Sequence, residues 1–198
     1  VKVVLATKNR GKLKEFQEKL KEFEIEVIPI DQISNLEPPE EKGITFCENA
    51  YEKAKYYSER IDLPVIAEDS GLEVEALNGR PGIFSARFAG EGATDEENNK
   101  RLILELKKLG LENSPARYVS FIFLYIPEGM GLWSSGEVKG KVITEPRGEG
   151  GFGYDPLFIP EGYTKTMAEL PMEEKNKISH RGKAIEKLVN LIKEVKKW

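Results

Sequence analysis

Cysteine and histidine are almost missing from these 198 residues, which hold one of each, Cys47 and His180. A lone cysteine closes no internal disulfide, which favours a reducing, cytoplasmic setting. Long apolar runs are also lacking. No stretch approaches the roughly 20 residues that span a bilayer, and the start, Val1 to Ala6, is too short and too soon followed by charge to read as a secretory signal. An excess of positive charge is absent too. With 30 Lys and Arg against 34 Asp and Glu the net charge is −4, which argues against a protein that coats nucleic-acid backbone and leaves no stable nucleic-acid partner. Glutamine occurs only as Gln17 and Gln32 in a Glu/Lys-rich chain, a thermophilic pattern. There is no internal repeat, low-complexity tract or linker.

What is present describes a globular domain. Hydrophobic residues make up 39% and charged residues 32%, and the length suffices to bury most of the apolar surface without metals or disulfides. Residues 2–6 read as a short buried strand, after which Leu13, Phe16, Leu20 and Phe23 recur at helical spacing. Val27–Ile30 reads as a second strand. A helix over about Thr45–Glu59 carries Phe46, Ala50, Ala54 and Tyr57 on one face. Pro64–Ala67 is a strand expected to end at Glu68-Asp69-Ser70-Gly71, with Leu72–Glu75 alternating beyond a turn. Thr94 or Asp95 caps a helix whose face is Leu102, Ile103, Leu106 and Leu109, and Gly110 stops it. Tyr118–Ile126 and Leu132–Ile143 form a hairpin. The final helix carries Ile185, Leu188, Val189, Ile192 and Val195. Mixed hairpins and helical crossovers predict an α/β fold with a mixed sheet flanked by helices, a single domain over 1–198.

Four segments carry chemistry. Thr7-Lys8-Asn9-Arg10-Gly11-Lys12 opens a helix directly after the first strand, as a P-loop does, but Ala6 stands at the first glycine position and Leu13 where a magnesium-binding Ser or Thr belongs. What remains is a turn with helix-start N–H groups and three cations, suited to a triphosphate; a solvated basic helix start would look the same. Adjacent carboxylates on an extended backbone point to opposite sides, so only one of Glu68 and Asp69 faces a site at the strand end. Asp69 is the choice, on the premise that Ser70-Gly71 turns the chain. Glu40 or Glu41, in the preceding loop, is a candidate to share Mg²⁺ with Asp69, oxygen ligands and phosphate being what that ion prefers.

In Gly148-Glu149-Gly150-Gly151-Phe152-Gly153-Tyr154-Asp155-Pro156 the glycines let backbone lie against a planar ligand, with Phe152 as stacking face and Asp155 as acceptor. A Gly-rich hairpin loop, or a single-strand nucleic-acid platform, would share this composition. Ser179-His180-Arg181 brings a hydroxyl, an imidazole and a guanidinium to the mouth of the last helix, with Lys175 and Lys177 just ahead. Lys53 lies on the second helix. Cations for phosphate, carboxylates for metal and water, and an aromatic for a base make a nucleotide site.

Taken together, these segments, with Phe46-Cys47-Glu48-Asn49-Ala50 and Pro81-Gly82-Ile83-Phe84-Ser85-Ala86-Arg87, resemble the inosine/xanthosine triphosphate pyrophosphatases, and they span nearly the whole chain in family order. Glu68 departs from the Asp expected in many relatives. The resemblance implies an elongated mixed sheet in two lobes with a nucleotide-binding groove between them, a homodimer, Mg²⁺ dependence, and hydrolysis of ITP, dITP and XTP to the monophosphate and pyrophosphate. It implies that Thr7, Lys8, Asn9, Arg10, Gly11 and Lys12 bind phosphates. Asp69 would be proton acceptor and metal ligand together with Glu40, or else Glu41, and Ser70 would touch substrate. Phe152, Gly153, Tyr154, Asp155, Lys175, His180 and Arg181 would complete the nucleotide site, with Lys53 as a further cation.

The chemistry then rests on positioning and charge neutralisation, with water attacking the α-phosphorus. Donors from His180 or Arg181 aimed at a 6-oxo group would be stranded by the 6-amine of ATP, about 1–3 kcal/mol per buried group. The helix N-terminus and Arg181 both disfavour imidazolium, which assigns His180 to recognition and the proton to Asp69. A Maf-type pyrophosphatase for other modified nucleotides, and a nucleotide- or RNA-binding module without turnover, are the alternatives.

Overall fold

The computed structural model describes residues 2–195; Val1, which begins the opening apolar run, lies outside them. Six strands, β1 (Lys2–Leu5), β2 (Glu26–Pro29), β3 (Val65–Val74), β4 (Asn113–Ile126), β5 (Met130–Ile143) and β6 (Phe158–Pro160), form one mixed sheet in the order β2-β1-β3-β4-β5-β6. β1 runs parallel to β2, with Val3 opposite Val27, and to β3, with Leu5 opposite Ile66; β5 and β6 are antiparallel. Among the described residues five α-helices accompany them: α1 (Arg10–Lys21), α2 (Phe46–Ile61), α3 (Asp95–Lys108), α4 (Met172–Ile178) and α5 (His180–Val195). Among the described residues no helix is long and apolar enough to cross a membrane.

The chain divides into two compact units. The first comprises residues up to Asp69, Ser120–Gly136 and those from His180 onward; the second comprises Ser70–Val119 and Glu137–Ser179. In the first unit, strand alternation sorts side chains into two cores. Val3 and Leu5 of β1, Ile66 of β3, and Ile122 and Leu124 of β4 pack with Leu13, Phe16 and Leu20 of α1 and Ile185, Leu188 and Val189 of α5. Val4, Val65, Ala67 and Tyr125 face the other way, onto Ala54 and Tyr57 of α2. Small alanines at 50 and 54, both fully buried, let α2 lie close to the strands.

The second unit builds its core from Leu72 and Val74 of β3, Leu102 and Leu106 of α3, Tyr118, Val142, Tyr154 and Phe158. Thr94 caps α3, its hydroxyl accepting from Glu97 N at 3.2 Å, and Gly110 follows the helix in a left-handed conformation at φ +70°. Leu102 and Leu106 are completely buried, whereas Leu109 at the helix end is 55% exposed. Its place on the helical face does not secure burial once the helix has ended.

Two expectations need correction. Ser70-Gly71 is not a turn: β3 runs unbroken through it to Val74. Turn propensity is overridden because eight of its ten residues are buried and the extended backbone is held by neighbouring strands. β4 begins at Asn113, ahead of the expected Tyr118, and α4 was not foreseen at all.

Candidate active site

The continuity of β3 turns its two adjacent carboxylates to opposite faces of the sheet. Glu68 shares a face with Ile66, toward α1 and α5; Asp69 shares a face with Val65 and Ala67, toward α2. On the first face Arg181, at the start of α5, donates to Glu68 through Nε (2.5 Å to Oε2) and Nη2 (3.2 Å to Oε1), and through Nη1 to Glu15 of α1. Ser120 Oγ donates to Glu68 Oε2 at 2.8 Å, and Lys12 Nζ lies 3.2 Å from Oε1. Burial alone would push the Glu68 carboxyl up, but the charges of Arg181 and then Lys12 outweigh it and hold it well below the usual carboxylate range. Burial likewise opposes the Arg181 charge, and Glu68 and Glu15 more than restore it.

Asp69 has a poorer set of partners. Asn49 Nδ2 donates to its Oδ2 at 3.1 Å. One turn along α2, Lys53 gives its Nζ to Glu41 (2.9 Å) and to the Glu68 carbonyl (3.0 Å). Burial pushes the Asp69 carboxyl up, Lys53 pulls it down, and Glu41 pushes it up again, to about 6. A carboxyl of that affinity can hold a water proton near neutral pH.

The acidic loop distinguishes its two glutamates. Glu40 is 78% exposed at its side chain and pairs with Lys42, whereas Glu41, 29% exposed, pairs with Lys53 and acts on Asp69. Among the described residues no group of three or more His, Cys, Asp and Glu side chains is placed to hold a metal. Two carboxylates suit Mg²⁺ nonetheless, since that ion is usually held by one or two of them together with substrate phosphates.

The first turn of α1 is cationic where helices ordinarily place acids: Arg10 and Lys12 lie in it and no acidic residue does. Asn9 is the N-cap, its Oδ1 accepting from Lys12 N at 3.0 Å, and Thr7 Oγ1 accepts from Asn9 N at 3.1 Å. These side chains shape the turn. Lys8 and Arg10 are exposed, and Arg10 reaches Asp31 at 3.4 Å.

In the second unit Asp155 is a buried hub. It accepts from Lys175 Nζ (2.6 Å), Phe152 N (3.1 Å) and the Tyr118 hydroxyl (3.2 Å), and Lys175 Nζ sits 4.5 Å from the centre of the Phe152 ring. Gly151, at φ +67°, is left-handed, and a Cβ there would strike the Asp155 carboxylate. Gly153 is held by Asp95 and Asn99 from α3. Tyr154 donates its hydroxyl to the Ser85 carbonyl at 2.6 Å, and burial pushes its phenol up. Ser85, within the Pro81–Arg87 segment, also accepts from Leu72 N at 2.9 Å.

The structure thus brings Lys12 and Arg181 together through Glu68, Lys53 and Glu41 around Asp69, and Phe152 and Lys175 around the Asp155 carboxylate. Ser70 is half-buried in β3, and His180 is the buried first residue of α5. Sequence reasoning gave no role to Asn49, although the Phe46–Ala50 segment contains it, and missed Glu15. Asn49 could have been found at i−4 from Lys53. Glu15 carries no such signal, since burial of a charged residue on α1 depends on Arg181, 166 positions away.

The Ham1 family model matches residues 3–191, and the chain belongs to that family. It is 48% identical over 196 residues to a dITP/XTP pyrophosphatase from Desulfotalea psychrophila, covering 99% of this chain and 87% of the relative. A dITP/XTP pyrophosphatase from Aquifex aeolicus is 47% identical, with 100% and 99% covered. Among solved structures, a HAM1 protein from Coxiella burnetii superposes with a TM-score of 0.87 at 40% identity, covering 98% of this chain and 99% of that one. The Ham1 protein of Staphylococcus aureus gives 0.83 at 39%, with 98% and 99% covered.

Proposed function

We propose that this chain hydrolyses non-standard purine nucleoside triphosphates, ITP, dITP and XTP, to the monophosphate and pyrophosphate, with Mg²⁺ as its cation. The observation that carries the reading is Asp69: a buried carboxyl lifted to about 6, addressed by Asn49 and Lys53, and adjoining the acidic loop through Glu41. The names of relatives 43–48% identical over most or all of the chain support the substrate class.

Asp69 accepts a proton from the water that attacks the α-phosphorus, and pyrophosphate leaves on the opposite side. The N–H groups of the α1 first turn, with Lys8, Arg10 and Lys12, take up the negative charge of the leaving phosphates. Asp69 and Glu41 would hold Mg²⁺, which when bound neutralises triphosphate charge. Glu41 is placed ahead of Glu40 because it, and not its exposed neighbour, is tied to Lys53. Arg181 acts through Glu68, keeping that carboxylate ionised against Lys12. Phe152 stacks on the base, Ser70, Lys175 and the Gly153–Asp155 backbone contact the nucleotide, and His180 donates to a 6-oxo acceptor that adenine lacks.

Pyrophosphate release from ITP, XTP, GTP, ATP and UTP, with and without Mg²⁺, tests the reading. Turnover of ITP and XTP with ATP far behind is expected. No release from ITP, or a preference for UTP, overturns it. A homodimer belongs to the same proposal, and light scattering at micromolar concentration checks it.

A further inference from the structure

One side chain connects the acidic loop to the strand carboxylate. Asn49 is 3% exposed on the first turns of α2. Its Oδ1 accepts from Gly43 N at 2.8 Å, while its Nδ2 donates to Asp69 Oδ2 at 3.1 Å and lies 3.5 Å from the Gly43 carbonyl. Both ends of the amide are therefore committed, one to the loop that carries Glu41 and one to Asp69. Glu48 adds a second hold on the loop, its Oε2 accepting from Ile44 N at 3.0 Å. The clasp has no spare room. A Cβ on Gly43 would lie 2.5 Å from Asn49 Oδ1 and 2.8 Å from Glu48 Cβ, closer than real Cβ atoms approach, so glycine is required there by space.

We propose that Asn49 is a positioning residue whose amide, seated against Gly43, sets the separation and orientation of the Asp69 and Glu41 carboxylates and so the affinity of the pair for a divalent cation. The inference rests on the function proposed above. An amide does this work without charge: it fixes one Asp69 oxygen in a hydrogen bond and leaves the other for a cation or water, while a lysine or arginine would compete with the cation. Loop and strand are otherwise connected through Glu41 and Lys53, whose ion pair the cation must share.

The test measures cation binding apart from turnover. Mn²⁺ is titrated into substrate-free protein and followed by electron paramagnetic resonance, alongside the Mg²⁺ dependence of pyrophosphate release from ITP. Asn49→Ala and Gly43→Ala are each expected to raise the Mn²⁺ Kd and the half-saturating Mg²⁺ by about tenfold. At saturating Mg²⁺, kcat should return to within about threefold of wild type, because Asp69 is intact. Gly43→Ala reaches the clasp from a loop position, so it keeps the test open should Asn49→Ala fold poorly. Ser58→Ala is the structural control: it loses the buried hydroxyl bonds to Leu63 and Tyr125 elsewhere on α2, and is expected to lower Tm while leaving Mn²⁺ binding unchanged. Unaltered Mn²⁺ affinity in both clasp variants, or an equal rise in Ser58→Ala, overturns the proposal. Absence of pyrophosphate release in the wild type would instead remove the functional reading on which it stands.

Discussion

Glu68 and Asp69 are chemically near-identical neighbours on one strand, both buried, and β3 turns them to opposite faces of the sheet. The face toward α1 and α5 supplies Glu68 with a guanidinium, an ammonium and a hydroxyl. The face toward α2 supplies Asp69 with an amide, a lysine shared with Glu41, and the repulsion of Glu41 itself. Burial penalises both charges alike. The cations decide the outcome: one carboxylate stays ionised and structural, the other is held near neutrality where it can exchange a proton. Side-chain parity on one strand thus gives two neighbouring carboxyls opposite electrostatic surroundings.

The sharpest way to break this contrast is to remove Asp69, the proposed base. Asp69→Asn is expected to lower kcat for ITP by about 10²–10⁴-fold, the usual contribution of a general base, while substrate binding persists; near-normal pyrophosphate release would return the base to another residue. Its neighbour Glu68 is probed next. Arg181→Met leaves Glu68 and Glu15 buried without their shared cation, and breaking such a pair costs about 3–5 kcal/mol. Urea unfolding should show that loss, and a change below ~1 kcal/mol would mean that these carboxylates are neutralised in another way.

The pH dependence of stability separates the two carboxyls by sign. Asp69 has a folded affinity of about 6, raised above its ordinary 3.8. Its contribution is therefore full below 3.8 and lost as pH rises through 6, so the ionised group destabilises the fold at neutral pH by about 3 kcal/mol. Relative to wild type, Asp69→Asn should become progressively more stable between pH 4 and 7, measured in EDTA. Glu68 is depressed, so its contribution is present above the ordinary 4.5 and lost as pH falls toward its folded value. Glu68→Gln should accordingly lose its disadvantage in acid, and parallel pH profiles for the two variants would erase the distinction. The smallest effect is expected from His180→Ala. It should weaken use of ITP about tenfold and narrow the preference over ATP, as loss of one buried donor does; complete loss of turnover with unchanged ITP affinity would make the imidazole a base.

Much of this was legible before any fold was known. Apolar spacing located β1, α1, α2, α3 and α5, and Thr45 and Thr94 stand at the helix starts, where their hydroxyls accept from backbone N–H groups. Alternation alone stated that Glu68 and Asp69 face apart. The cationic first turn of α1 and the glycine-flanked Phe152 were readable as residue types at a spacing.

Which of two adjacent carboxylates gains a cation, however, depends on partners far along the chain: Arg181 lies 113 positions from Glu68, and Asn49 lies 20 from Asp69. Those distances collapse only when helices dock on the sheet. Ser70-Gly71 is extended and not a turn for the related reason that local propensity yields to burial within a continuous strand, and Glu41 is distinguished from Glu40 only by the reach of Lys53. Periodicity and capping are short-range and written in the residues themselves. Burial and charge pairing are long-range, and the packed fold alone decides them.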